Sequence, residues 1–135
     1  MKIETTILKN LLQNEDYARK VLPFLNDKYF TENSDKIIYN QINNFILKYN
    51  SLPNKEALNI ELSEVKITEE DFKESINLIN EIGKDDQEFS DLSWLLDSTE
   101  KFCQDKAIYN AVVESISILD NPKSTTDKGA IPDIL

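Results

Sequence analysis

The chain contains no histidine and a single cysteine, Cys103, among its 135 residues. Catalytic serine–histidine and cysteine–histidine pairs, disulfide frameworks and the usual zinc sites all require residues that are missing here. Cys103 occupies an apolar helix face, where we expect it to pack as a small hydrophobic residue. The sequence therefore offers none of the common nucleophilic or zinc-dependent active sites.

Glycine and proline are scarce, with two and four residues respectively. Turn-rich all-β folds need many such residues, so their scarcity favours long helices. The N-terminus lacks the long apolar run of a signal peptide or membrane span, and an intracellular location is the default. Neither the G-x-x-x-x-G-K-[ST] nor the G-x-G-x-x-G pattern of a phosphate-binding loop occurs.

Basic residues are also scarce. The sequence has 15 Lys and Arg residues against 25 Asp and Glu residues, and Arg19 is the single arginine. The net charge of −10 would repel DNA at long range. The acidic surface has two interpretations, which are a general contribution to solubility and an attraction for a basic partner protein.

Apolar residues at helical spacing predict six helices, which cover about residues 3–13, 16–22, 35–49, 55–62, 69–82 and 92–120. Ser34, Asn54 and Thr68 are the expected N-caps. Gly83 is expected to end the fifth helix in the left-handed conformation, and Pro122 to stop the sixth. Between the second and third helices, we expect a cluster of core anchors formed by Phe24, Leu25, Tyr29 and Phe30.

This pattern predicts an all-α fold with a small helical bundle over residues 1–67 and a long helical hairpin over 68–120. The second arm of the hairpin is about twice as long as the first, so half of it lacks a partner there. That half requires either the N-terminal helices or another copy of the chain, because an amphipathic helix is unstable with its apolar face in water.

Large apolar residues on the two arms are the candidate subunit interface: Phe72, Ile76, Ile79, Leu92, Trp94, Leu95, Leu96 and Phe102. Trp94 has two interpretations, as a core residue that closes the hairpin or as an interface anchor, a role in which tryptophan is enriched. The same alternatives apply to the apolar stripe from Leu92 to Phe102.

A polar linker over 121–128 is followed by Gly129-Ala130-Ile131-Pro132-Asp133-Ile134-Leu135. Pro132 suits the first turn of a helix, and that helix would have no body within this sequence. We therefore expect the chain to be the front part of a longer polypeptide.

Acidic clusters at 69–71 and 85–86 are the remaining candidates for chemistry. The first is better explained as negative charge at a helix N-terminus and the second as a solvated loop. A metal-dependent carboxylate enzyme is the least supported interpretation, because the EF-hand pattern is absent. No catalytic, cofactor-binding or metal-binding residue is predicted in this chain.

Several segments, in this order, resemble the N-terminal domain of DnaB-type replicative DNA helicases in the version found in T-even-type phages. The segments are Glu4–Leu12, Tyr29-Phe30, Ile38-Tyr39, Leu52–Leu58, Ser93–Phe102 and Gly129–Leu135. The last two are the most specific, and the resemblance covers nearly the whole chain. One departure is Asp35-Lys36, at the start of the third helix, where bacterial members often carry a histidine.

The resemblance implies that residues 1–120 form a collar domain and that 121–135 lead to a RecA-like motor beyond Leu135. ATP and magnesium would bind that motor, which would drive 5′ to 3′ movement along single-stranded DNA. The collar would pair subunits into dimers, and three dimers would form a hexameric ring. The segment that opens at Pro132 would dock on a neighbouring motor, with Ile131, Pro132, Ile134 and Leu135 as its docking residues. Primase and a helicase loader are the implied partners, in the cytoplasm of the host cell and without a membrane.

A second hypothesis remains open beside this one. The chain could be a free-standing helical adaptor that binds a basic protein partner and is complete at Leu135. The feature that separates the two hypotheses is a phosphate-binding motif further along the gene, since only the helicase reading requires one.

Overall fold

Six α-helices form the part of the chain that the computed structural model describes, namely residues 2–84 and 91–120. The helices are α1 (Ile3–Gln13), α2 (Glu15–Val21), α3 (Asn33–Tyr49), α4 (Lys55–Ser63), α5 (Glu69–Ile82) and α6 (Leu92–Asp120). Two 3₁₀ turns, Leu22–Phe24 and Asp27–Tyr29, connect α2 to α3. These ranges contain no strand, so the predicted all-α class is confirmed.

Side-chain caps explain where several of these helices begin. The Asn54 side chain accepts a hydrogen bond of 2.7 Å from the Ala57 amide, and the Thr68 hydroxyl accepts one of 3.1 Å from the Asp71 amide. Both predicted caps are confirmed, and each satisfies an amide that has no partner within its helix. Before α6, the Asp91 carboxylate accepts from the Ser93 amide at 3.3 Å.

One predicted N-cap is wrong, and Gly83 ends α5 as predicted but in another backbone conformation. Helix α3 begins at Asn33, so Ser34 lies inside its first turn, and the N-cap position is held by Glu32 without a side-chain hydrogen bond. Gly83 has φ of −85° and is not left-handed. A Cβ atom at position 83 would lie 2.8 Å from the Ile79 carbonyl oxygen, so glycine is suited to a close backbone approach there.

The core consists of side chains from every α-helix. Its largest fully buried members are Ile7, Leu8, Leu11, Tyr17, Phe30, Ile38, Ile42, Leu58, Leu62, Ile79, Ile82 and Leu95. Of the aromatic-rich segment expected to anchor this core, Leu25 and Phe30 are buried and Tyr29 is partly buried. Phe24 is 72% exposed, so its assignment to the core is wrong.

The packing of α5 and α6 differs from a simple hairpin. Helix α5 packs against α1, α3 and α4, whereas α6 packs against α1, α2 and the 3₁₀ turn Asp27–Tyr29. Each predicted arm is therefore held chiefly by the N-terminal helices and not by the other arm. One core includes residues of both the predicted globular part over 1–67 and the predicted hairpin over 68–120.

The predicted linker over 121–128, the helix stop at Pro122 and the four docking residues Ile131, Pro132, Ile134 and Leu135 lie outside the described residues. Within the described ranges, no helix combines the length and apolar character needed to cross a bilayer.

Candidate assembly surface

The first half of α6 is anchored in the core by apolar contacts. Leu95 is fully buried and Phe102 is 7% exposed. The Phe102 ring lies 5.7 Å from the Phe30 ring, which in turn stacks on Tyr39 at 5.4 Å between ring centroids. These are ordinary separations for aromatic pairs, which add to the stabilisation from burial. The cluster joins α6 to α3 and fixes the direction in which α6 leaves the bundle.

A buried pair of hydroxyl groups fixes α6 against α2. The Tyr17 and Thr99 hydroxyl oxygens lie 2.6 Å apart, and the Thr99 hydroxyl donates a hydrogen bond of 2.7 Å to the Leu95 carbonyl oxygen. Because the Thr99 proton is used in that bond, the Tyr17 hydroxyl is the donor to Thr99. Burial raises the pKa of Tyr17 well above its usual range, so this group stays protonated.

Polar contacts hold α6 further along its length. Lys106 Nζ lies 3.5 Å from the Thr31 hydroxyl oxygen. The Asn110 side-chain amide donates a hydrogen bond of 3.0 Å to the Lys28 carbonyl oxygen. These contacts fix one side of the middle of α6 and leave its other side facing solvent.

The second half of α6 carries an exposed apolar face. Six large side chains on it are between 44% and 65% exposed, namely Ile108, Tyr109, Val112, Val113, Ile116 and Leu119. At about 100° per residue they fall within an arc of roughly 140°, which is the width of a helix face that packs against a partner. We name these six residues the α6 apolar face.

The eight residues predicted as a subunit interface are separated by the fold. Ile79, Leu95 and Phe102 are buried in the core of this chain, and their side chains have almost no surface to offer a second subunit. Trp94 is 51% exposed. The remaining four are partly buried against the core, namely Phe72, Ile76, Leu92 and Leu96. The interface role of the set remains a prediction, and the geometry favours Trp94 among its members.

Sequence reasoning assigned no role to Tyr109 and Val113, which lie on the α6 apolar face. It left the second half of this helix with two possible partners, the N-terminal helices or another copy of the chain, and did not separate its faces. The spacing of four residues from Tyr109 to Val113, beside Ile108, Val112 and Ile116, was the signal that could have identified them.

A groove beside the first half of α6 has a volume of about 530 Å³. Its lining includes Val21, Phe24, Tyr29, Leu96 and Cys103. Burial raises the pKa of the Cys103 thiol, which keeps it protonated and poorly nucleophilic. Cys103 packs partly buried against the core, as predicted. This groove therefore does not have the electrostatics of a thiol-based active site.

The described residues contain no group of three or more Cys, Asp or Glu side chains placed to hold a metal ion. The predicted acidic cluster at 69–71 lies in the first turn of α5, where carboxylates interact favourably with the helix dipole. The cluster at 85–86 lies outside the described residues.

The fold is thus an all-α domain with a long terminal helix whose outer half bears an uncovered apolar face. Comparison with protein-family models gives no match. The chain is 32% identical, over 137 aligned positions, to a DnaB-like replicative helicase of Enterobacteria phage T4. The match covers 96% of this chain and 28% of the phage protein, a share consistent with one domain of it. The resemblance to a replicative helicase of the T-even-type phages is therefore confirmed.

Proposed function

We propose that this chain is the N-terminal assembly domain of a phage-type replicative DNA helicase. The 32% identity over nearly the whole chain supports a role in DNA replication. The observation that carries the assembly role is the α6 apolar face. Six large apolar side chains are exposed within 12 consecutive residues. An exposed apolar patch is typical of an interaction surface, because its burial against a partner is stabilised by the hydrophobic effect.

A second copy of the chain is the proposed partner of the α6 apolar face. Two identical helices related by a two-fold axis present the same residues to each other, so one apolar stripe suffices for a closed dimer. The face covers about 18 Å of helix at 1.5 Å per residue, which is enough for several layers of interdigitated side chains. Trp94 is exposed on the same helix and would contribute if the contact extends toward its start.

The wider assembly is also part of the proposal. Three such dimers would form the collar of a hexameric ring, and primase and a helicase loader would be recruited to it. A motor domain outside this sequence would bind ATP and magnesium and contact single-stranded DNA. The similarity to a replicative helicase supports a role in replication, and the chain spans about 28% of that relative's length.

Sedimentation over a range of concentrations tests pairing through the α6 apolar face. We expect the unmodified chain to associate and Ile116→Asp to weaken association at least about tenfold, because a carboxylate would be buried against apolar side chains. Ser117→Asp is the matched control, since Ser117 is exposed and points about 100° away from Ile116 on the helix. A monomeric unmodified chain, or equal weakening by both variants, would contradict pairing through this face.

The helicase role has its own test, which is to sequence the parent gene past the codon for Leu135. A G-x-x-x-x-G-K-[ST] motif within roughly the next hundred residues, after a predicted strand, would support the helicase. A stop codon at that point would favour the free-standing adaptor, whatever the outcome of the sedimentation experiment.

A further inference from the structure

An acidic cavity of about 520 Å³ lies between the starts of α1 and α3 and one side of α5. Its lining includes four acidic residues, Glu32, Asp35, Glu74 and Glu81. The basic residue in the lining, Lys2, forms no ion pair with a described carboxylate. The volume is within the range of sites that bind small ligands or single side chains of a partner.

Asp35 is the unusual member of this cavity. It is only 5% exposed. No hydrogen bond or ion pair joins its side chain to another described residue, although buried polar groups nearly always have a partner. Asp35 lines the cavity, so a partner for its carboxyl group would have to approach from that space.

The charges around Asp35 come from each of the three neighbouring helices. Burial, followed by the negative charges of Glu4, Glu32 and Glu81, raises the pKa of Asp35 to about 6, and Lys2 opposes this effect. Near neutral pH the carboxyl is therefore mostly ionised in a strongly negative environment. A positively charged group in the cavity would relieve both the burial cost and the repulsion.

We propose that this cavity receives a lysine or arginine side chain from a basic segment of a partner protein. Charge complementarity favours a cationic occupant, because four acidic residues line the cavity and Lys2 is the one basic residue among the lining residues. A metal ion is disfavoured, since the described carboxylates do not gather into a metal-ligand set. A long cationic side chain can reach a recessed carboxylate without such a set, because its N–H groups bond one acceptor at a time.

This inference does not rest on the proposed assembly role, because none of the cavity residues belongs to α6. The two proposals can therefore fail separately. A chain that does not self-associate could still bind a basic segment here, and a chain that forms dimers could fail to do so.

Calorimetric titration of the chain with a tetralysine peptide, acetylated at its N-terminus and with four free side-chain amines, tests the proposal. We expect binding by the unmodified chain and at least about tenfold weaker binding by Asp35→Asn, which keeps the side-chain shape and removes the charge. Asp97→Asn is the matched control, because it removes the same formal charge from an exposed site on α6. We expect it to change binding less than about twofold. The same peptide with all four lysine side chains acetylated carries no positive charge and should not bind.

The pH dependence gives a second readout. Binding to the unmodified chain should weaken several-fold between about pH 7.5 and pH 5, as Asp35 takes up a proton. Asp35→Asn should show a clearly smaller change. Equal loss in Asp35→Asn and Asp97→Asn would mean that only net charge attracts the peptide, and unchanged binding in Asp35→Asn would exclude the cavity. Either result overturns the proposal. Thermal unfolding confirms that both variants are folded.

Discussion

The side-chain amide of Gln13, the last residue of α1, donates a hydrogen bond of 2.7 Å to the carbonyl oxygen of Ile82, the last residue of α5. The same amide donates to the Lys84 carbonyl oxygen at 3.0 Å. The last carbonyl groups of a helix have no partner within it, so Gln13 acts as a cap supplied by another helix. This contact joins positions 69 residues apart in the sequence.

Gln13→Ala should lower the free energy of unfolding by about 1 kcal/mol, because two carbonyl groups at the end of α5 lose a donor. Urea unfolding monitored by circular dichroism measures this change. Gln104→Ala is the control, since Gln104 is exposed and its side-chain amide bonds Glu100 on its own helix. We expect that variant to stay within about 0.5 kcal/mol of the unmodified chain. A similar loss in both variants would mean that Gln13 contributes through its helix alone.

The Tyr17–Thr99 pair predicts an asymmetry between two conservative variants. Tyr17→Phe leaves the Thr99 hydroxyl bonded to the Leu95 carbonyl oxygen and should cost about 0.5–1.5 kcal/mol. Thr99→Val leaves the fully buried Tyr17 hydroxyl without an acceptor and should cost more, about 1–3 kcal/mol. Chemical denaturation of both variants and of the double variant measures this, and the double variant should cost less than the sum. Equal costs would contradict the donor assignment.

The stability of the chain should depend on pH through Asp35. Its pKa is raised from the usual 3.8 to about 6 in the folded chain, so between these values the folded chain keeps a proton that the unfolded chain has released. The contribution of this carboxyl is therefore most favourable below about pH 4 and is lost as the pH rises through about 6. Asp35→Asn should raise the free energy of unfolding by about 1–3 kcal/mol at pH 8 and change it little at pH 4. A stabilisation that is the same at both pH values would contradict the assignment.

Salt should strengthen the proposed pairing of α6 apolar faces. Two chains that each carry a net charge of −10 repel each other, and added salt screens that repulsion without weakening apolar contacts. Sedimentation equilibrium should show a lower dissociation constant at about 0.5 M than at about 0.05 M sodium chloride. An association that weakens with salt would indicate pairing through opposite charges instead.

Leu95→Asp and Trp94→Ala should act in different ways, although both residues belong to the predicted interface. Leu95 is fully buried, so a carboxylate there should destabilise the fold by several kcal/mol and reduce its helicity. Trp94 is half exposed, and its truncation should leave the fold stable. Circular dichroism and sedimentation together separate the effects. A folded Leu95→Asp chain with impaired association would restore Leu95 to the interface.

Local structure was largely readable from the sequence. The bounds of α1, the caps at Asn54 and Thr68 and the extent of α6 follow from apolar spacing and capping chemistry, which act over a few residues. Helix α3 also ends at the predicted residue, and Asn50 follows it with φ of 54° and its backbone amide bonded to the Ile46 carbonyl oxygen. These features depend on neighbours in the chain, and so a sequence contains enough information to identify them.

Packing between helices was less readable. An apolar stripe shows that a face is covered and does not show by which helix, so α5 was assigned to α6 although it packs on α1, α3 and α4. The same reason explains why the sequence left open whether the N-terminal helices or another copy of the chain covers the second half of α6, and why the cavity around Asp35 was not identified. Asp35 is a charged residue near a helix start, where exposure is the usual outcome, and only the packing of α1, α3 and α5 buries it.

The contact between Asn110 and the Lys28 carbonyl has a mechanical consequence. It is the last hydrogen bond in the described ranges that ties α6 to the N-terminal helices, and α6 continues for ten residues beyond it. That length is about 15 Å, so a tilt of about 10° around Asn110 would move the end at Asp120 by roughly 2–3 Å. A tilt of α6 about the 3₁₀ turn Asp27–Tyr29 would therefore change the position of Asp120 relative to the bundle.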